Sequence, residues 1–508
     1  MIHLPVLPVL VPLVATVLLL MAHRAPIEVA RGIAFVSAGV LVVVSLLLLR
    51  QAAEGTVVAV MLGDWPAPFG IAFVADRLSV MMVVVTTAIA VPALLAATTG
   101  ADRLGRHFHP LFQMQLAGIN GAFLTGDLFN LFVFFEVLLI ASYGLLVHGG
   151  GAARARAGVH YVVLNLTGSA LFLIALGLLY GTLGTLNLAD VALRLPVVPP
   201  ADAPLVRTAL ALIVAVFVLK AALLPLGFWL PHAYPAASAP VAALFAVLTK
   251  VGIYGLLRLS AAAFDEPLAA GLLSPWLMLV ALGTVVVGTA GALAAKRLSV
   301  VAAHLLLLST GMLAAAVAQG GAAMVAAMLY YLPHTTLVSA GLFLLVGHIA
   351  AGRGETGDRL VRGPYLPNTA WLGSAYLLLA VAVTGLPPLS GFLGKVMLLS
   401  AAPATPMGYT LWAVFIISGF VAALGLARAA STIFWEPTGP AEARPVREGR
   451  WRGILALVIV LGFVPALVLG AAPLSAYARA TAEQLAARQP YLDAVLPPGT
   501  ATQREVRP

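Results

Sequence analysis

Apolar runs of about 20 residues recur along this 508-residue chain, separated by short polar or Gly/Pro-rich connections. A helix of that length, at about 1.5 Å per residue, crosses the roughly 30 Å hydrocarbon core of a bilayer. Lipid offers no hydrogen bonds, so each crossing segment must satisfy its own backbone, and helices are the solution such runs allow. The residues are 62% hydrophobic and 9% charged, where a soluble domain is about a quarter charged. The pattern predicts an all-α polytopic membrane protein with about 14 transmembrane helices. These lie near residues 4–22, 32–49, 78–98, 109–125, 128–148, 159–180, 206–230, 240–259, 275–295, 298–318, 325–349, 371–402, 409–432 and 453–474.

The first run has no basic region before it and no small-residue cleavage pattern after it, so it reads as a retained span. Between the second and third runs, Gly55 to Asp76 is rich in Val, Gly, Pro and Trp and predicts a short extracytoplasmic hairpin. The last 34 residues are polar with some apolar periodicity and predict a surface helix followed by a disordered end. Cysteine is absent, which excludes disulfides, iron–sulfur clusters and thiolate-bound metals within the chain.

A net charge of +9 could suggest nucleic acid, but the arginines are scattered through short loops, where topology explains them. Even-numbered loops carry five cationic residues: Arg50, Arg77, Arg194, Arg207 and Arg258. Odd-numbered loops carry 16, from Arg24 and Arg31 through Arg353 and Arg359 to Arg444, Arg447, Arg450 and Arg452. The excess places the odd loops in the cytoplasm and both termini outside it.

Lysine behaves differently. Of four lysines, Lys220, Lys250 and Lys395 sit inside apolar runs, at an insertion cost of about 2.5–3.5 kcal/mol each on the lenient scale. Among 19 acidic residues only Glu136 lies mid-span, in LFNLFVFFEVLLIASYGLL; His304 and His334 also fall within spans. Each has a purely structural role open to it. A span histidine can be an interhelical donor, Asp127 reads as a helix N-cap, and Lys250 could snorkel toward the end marked by Arg258. Lys220 lies 13 residues from Arg207, roughly 20 Å along a helix, too far for that. Four central charges together carry an insertion penalty of roughly 10 kcal/mol. Lysine changes protonation readily when buried, arginine does not, and histidine titrates near neutrality. Such groups suit a proton path, and they do not suit a metal: ammonium is not a ligand and the carboxylates are too few.

Two runs are interrupted. KAALLPLGFWLPHAYPAASAP carries Pro225 five residues after Lys220, and VTGLPPLSGFLGKVMLL carries Pro387 and Pro388 before Lys395. Proline removes a backbone donor, and broken backbone at membrane depth survives only inside protein or beside a hydrated cavity. Interrupted helices in both halves predict an inverted-repeat transporter with broken seventh and twelfth helices. The lysine precedes one break and follows the other, so no residue-by-residue equivalence is assigned. The glycine-rich GGGAARARAG at 149–158 lacks the Lys-Ser/Thr of a phosphate loop and is a connector. No cofactor motif is present.

TGDLFNLFVFFEVLLIASYGLLVHG, LPLGFWLPHAYPAASAPVAALFAVLTKVGIYGLLR and TGLPPLSGFLGKVMLL closely resemble the D-type subunit of the Mrp (Mnh, Pha) multisubunit cation/proton antiporters, itself similar to the antiporter-like subunits of respiratory complex I. The resemblance runs from the third span to the thirteenth. It implies that Glu136 is the essential fifth-helix glutamate and Lys220 the lysine of the interrupted seventh helix. Lys250 would be the bridging lysine of the eighth, His334 the eleventh-helix histidine and Lys395 the terminal charge of the broken twelfth. One departure is His304, in AKRLSVVAAHLLLLSTG, where tyrosine is usual.

The expectation is a proton-translocating subunit of a Na+ or K+/proton antiporter in a bacterial plasma membrane. It has no cofactor or metal, and it assembles with other subunits into a hetero-hexamer or hetero-heptamer. Glu136 and Lys220 would form an ion pair whose opening sends a proton to Lys250, on through the histidines, and out at Lys395. The units expected are 1–108 (N-terminal helices and hairpin), 109–260 and 275–432 (two antiporter repeats) and 433–508 (last helix and tail). The alternatives are a proton-pumping subunit of a complex I-like enzyme or membrane-bound hydrogenase, and an inert scaffold in which the lysines are replaceable.

Overall fold

The computed structural model describes residues 3–65, 70–263, 267–269, 271–438 and 450–496. Two N-terminal helices, α1 (Leu7–Met21) and α2 (Ile27–Ala53), lead into a hairpin of β1 (Val58–Met61) and β2 (Ala72–Ala75), antiparallel with Val58 opposite Ala75. The expected hairpin is therefore present, its residues 66–69 lying outside the described residues. Next come α3 (Arg77–Ala97), α4 (Phe108–Leu124), α5 (Leu128–Val147), α6 (Ala152–Leu183), a short α7 (Leu188–Arg194) and α8 (Ala203–Lys220). The break after α8 holds the single turn α9 (Leu230–Ala233), followed by α10 (Ala239–Phe245) and α11 (Leu248–Ala263). The second half has α12 (Trp276–Ala294), α13 (Leu298–Gln319), α14 (Ala322–Arg353), α15 (Thr369–Thr384), α16 (Ser390–Ser400) and α17 (Pro406–Ala430). The chain closes with α18 (Arg450–Leu469), α19 (Ala471–Ala487) and α20 (Gln489–Val495).

Twelve helices among the described residues are long and apolar enough to cross a membrane, two fewer than the expected crossings. The interrupted twelfth run is divided between the short apolar helices α15 and α16. The fourth, α4, has 17 residues and buries His109, Gln113, Gln115 and Asn120. It is a core helix, covered on nearly all sides. α10–α11 and α13 are also almost wholly enclosed, whereas α2, α6 and α17 turn Val36, Ile174, Ile417 and Phe420 outward.

Local chemistry sets several helix starts. Asp76 caps α3 in a reciprocal box with Ser79, and Asp127 caps α5 by accepting from the Asn130 amide at 2.8 Å. The two halves share one backbone device. Leu128 N–H donates to Leu186 O and Leu188 N–H to Gly126 O, both 2.9 Å; Leu298 N–H donates to Asp358 O at 2.8 Å and Leu360 N–H to Lys296 O at 2.9 Å. Each ties the start of a helix, α5 or α13, to the segment following the next helix.

Three arginines counted toward topology are structural. α2 starts earlier than expected and encloses Arg31, whose Nε donates to Asp102 at 2.7 Å. Arg258 lies within α11 against Asp76, and buried Arg353 donates to three backbone carbonyls near the end of α14. Arg444 and Arg447 lie outside the described residues. In the tail, α19 is more than a surface helix: Ala478, Thr481 and Ala482 are buried, and Gln484 donates to Gly55 O at 3.0 Å. The expected disordered end, from residue 497, lies outside the described residues.

Candidate functional site

Lys220 is the last residue of α8, and the chain leaves the helix directly after it. Ala222 takes φ 56°, a left-handed conformation costly for a residue with a Cβ. The turn is held by side chains. Trp229 Nε1 donates to Leu219 O at 3.2 Å, and Thr284 Oγ1 of α12 accepts from Leu224 N–H at 2.9 Å. Gly227 passes so close that a Cβ would stand 2.0 Å from Ala222 O. Lys220 is 5% exposed, and its ammonium donates to Asn165 O and Ser169 Oγ of α6, both at 3.3 Å. It also lies 5.6 Å from the centroid of Phe135. Glu136 follows Phe135 on α5, with Oε1 buried and unpartnered. The expected ion pair is thus not a contact pair here: Lys220 is held by neutral oxygens, and Glu136 makes no salt bridge among the described residues.

Lys250 is fully buried near the start of α11, where the ammonium reaches Thr249 Oγ1 at 3.4 Å. α11 begins after a third helix break, at Ala246–Val247, that carries no proline or glycine. Tyr234, in the broken segment after α8, donates to the freed Phe245 O at 2.9 Å. Gly252 brings α11 onto the backbone beside Lys220, where a Cβ would fall 2.4 Å from Ala221 N. The helices of the two lysines are therefore in direct contact. On its other side, Thr249 receives a 3.4 Å hydrogen bond from Thr310 of α13.

In the second half, His334 of α14 and Lys395 of α16 flank one break. His334 Nδ1 is 2.9 Å from Ser390 Oγ, at the first residue of α16. Lys395 Nζ donates to Thr384 O at 2.7 Å and Val383 O at 3.3 Å, carbonyls that the end of α15 leaves without helical partners. Gly391 repeats the close approach of Gly227: a Cβ would stand 1.9 Å from Ala382 O. Tyr331 bridges toward the first half, its ring 5.6 Å from His334 and its hydroxyl donating to Met312 Sδ of α13 at 3.5 Å.

Side-chain contacts join these groups in two pieces, Lys250–Thr249–Thr310 and Met312–Tyr331–His334–Ser390. Lys220 is brought beside the first by the contact of its helix with α11, and Lys395 lies on the carbonyls at the end of α15 beside the second. Together with Glu136 we call them the row. His304 is not in it. Its ring is half-buried against Gly291 of α12, and Nδ1 is 2.9 Å from Val300 O of its own helix. Thr310, six residues on, faces a different direction. Sequence reasoning missed the neutral partners of the charged groups. Asn165 and Ser169 stand four apart on an apolar helix, a spacing that marks one face; the Ala246–Val247 break has no comparable mark.

The family model for the transmembrane region of NADH:quinone oxidoreductases and Mrp antiporters matches residues 125–422. The chain is 40% identical to the D-type subunit of a probable K(+)/H(+) antiporter of Rhizobium meliloti, with 97% of each chain covered. It is 34% identical to the corresponding Na(+)/H(+) antiporter subunit of Alkalihalophilus pseudofirmus, over 97% of this chain and 99% of that one. Its fold is similar to a chain of the Mrp complex from Dietzia sp. (TM-score 0.86, 28% identity, covering 98% of this chain and 100% of that one).

Proposed function

Because this chain belongs to the NADH:quinone oxidoreductase/Mrp antiporter membrane family, and within it to the D-type antiporter subunits, we propose that it is the proton-carrying membrane subunit of a multisubunit Na+ or K+/proton antiporter. The observation that carries this reading is the set of proton-holding groups enclosed in both halves, Glu136, Lys220, Lys250, His334 and Lys395, with the hydroxyls of Ser169, Thr249 and Ser390 beside three of them. Lys220 takes a proton stabilised by Glu136 and passes it toward Lys250 across the contact at Gly252. Thr249 and Thr310 join that lysine to α13, and Tyr331 and His334 lead to Lys395. Where side chains stand apart, water in the broken-helix region completes the connection.

Residues 109–260 and 275–432 act as two inverted repeats. Support comes from the matching ties at 126–128 with 186–188 and at 296–298 with 358–360. These lie at loops of opposite parity. The first segment, 1–108, and the last, 433–508, flank them. The subunit works in a bacterial plasma membrane, with both termini outside the cytoplasm, in a hetero-hexamer or hetero-heptamer whose other members cover its outward apolar helices.

The test is antiport in everted vesicles of an antiporter-deficient strain expressing the whole complex, with Na+ and K+ compared. Lys220→Ala and Glu136→Ala are expected to assemble normally and abolish exchange. Full antiport in either variant overturns the reading.

A further inference from the structure

One buried polar cluster takes no part in the row although it shares a helix with it. α11 carries Lys250, Tyr254 and Arg258 four residues apart, on one face. Arg258 stands about 12 Å beyond Lys250, toward the end of the molecule that bears the hairpin and the tail. Arg258 Nη2 donates to Asp76 Oδ1 at 2.9 Å, and Nη1 to Oδ2. Tyr254 Oη accepts from Arg258 Nε at 3.2 Å and Nη2 at 3.0 Å, and donates to Phe123 O at 2.6 Å.

A phenolic oxygen has one proton and two lone pairs, so this hydroxyl is fully committed. A guanidinium does not release its proton. Burial alone would raise the Asp76 carboxyl, but Arg258 and Ser79 outweigh it and hold the group below the usual range, ionised. No member of the cluster can accept a proton and hand it on.

The tail covers the cluster. Tyr491 of α20 buries its hydroxyl, and its ring lies 5.4 Å from the Arg258 guanidinium carbon. That hydroxyl sits beside Gly126, where a Cβ would come within 3.0 Å of it. α19 fastens this cover to the hairpin region. Arg77 N–H donates to Gln484 Oε1 at 3.1 Å, and Tyr477 Oη donates to Arg77 O at 2.8 Å. An aqueous route from this end to Lys250 would let protons cross without cation exchange.

We propose that the Asp76–Arg258–Tyr254 cluster, covered by Tyr491 from the C-terminal tail, is an insulator that closes the hairpin end of the first half, so that a proton on Lys250 leaves only along the row. The inference rests on the proton-row reading.

It is tested with the intact complex in proteoliposomes, by following the decay of an imposed pH gradient with a trapped pH dye and no Na+ or K+ gradient. Tyr254→Phe removes the hydroxyl and keeps the ring; Tyr491→Ala changes only the tail and stands alone should Tyr254→Phe fail to assemble. Each is expected to speed the decay several-fold, and adding Lys250→Ala is expected to return it to the wild-type rate. Wild-type decay in an assembled Tyr491→Ala complex, or a fast decay that persists without Lys250, overturns the insulator. Antiport in Lys220→Ala, measured on the same preparations, separates the two ideas. If it is lost while the tyrosine variants stay tight, only the insulator falls; if it is retained, the row itself falls.

Discussion

Lys220 is a buried cation held without a carboxylate in contact. A contact pair at 4 Å is worth about 4 kcal/mol at an effective dielectric constant of 20, enough to hold a proton firmly. Here two neutral oxygens at 3.3 Å take the place of such a pair. Lys220→Arg keeps the charge but removes the capacity to release a proton. The complex is expected to assemble while antiport falls by at least about tenfold, an added barrier of ~1.4 kcal/mol, measured by cation-induced pH change in everted vesicles. His304 makes the opposite case. Its ring is bonded to its own helix and turned from Thr310, so His304→Ala is expected to leave antiport within about twofold of wild type, a barrier change of at most ~0.4 kcal/mol. The lysines and Glu136 were legible as anomalies because the cost of a charge in lipid depends on the residue and its depth. Their partners were not, because Asn165 and Ser169 look like ordinary span residues until α8 lies against them.

At the level of elements, the breaks rest on glycines that let backbone meet backbone. Gly227 and Gly391 sit where a Cβ would stand 2.0 and 1.9 Å from carbonyl oxygens, so Gly227→Ala and Gly391→Ala are each expected to destabilise by about 1–3 kcal/mol. A lower unfolding temperature of the solubilised complex, together with lost antiport, would be the readout. A loop tie supplies a pH signature. Burial alone would raise the Asp358 carboxyl, but Ser299 and Arg297 hold it below its ordinary value. Its contribution is therefore present above a pH of about 4, the unfolded value, and lost as pH falls through the lower native one. Asp358→Asn should cost about 1 kcal/mol at neutral pH, a difference that shrinks in acid melts. Proline marked two breaks in the sequence. The third, at Ala246–Val247, follows from packing alone, with the Tyr234 hydroxyl satisfying a freed carbonyl.

Across the whole molecule, the nearly enclosed helices α4, α10–α11 and α13 lie inside, and α2, α6 and α17 turn apolar side chains outward. The arginine bias remains an argument about sidedness even after Arg31, Arg258 and Arg353 are reassigned to internal contacts. Alkaline phosphatase fused after the tail is accordingly expected to be active, and a fluorescent protein that folds only in the cytoplasm is expected to stay dark there. The sequence by itself determined that the chain is a helical membrane protein, where most of its apolar helices fall, and which ionisable groups lie among them. Those are local properties, set by run length and by the insertion cost of each residue. Only the tertiary structure decided that Lys220 rests on neutral oxygens, that Thr310 stands beside Thr249 and Tyr331 beside His334 while His304 bonds its own helix, and that the tail covers Arg258. These depend on carbonyls freed at helix breaks and on side chains brought from distant helices, and no local pattern encodes them.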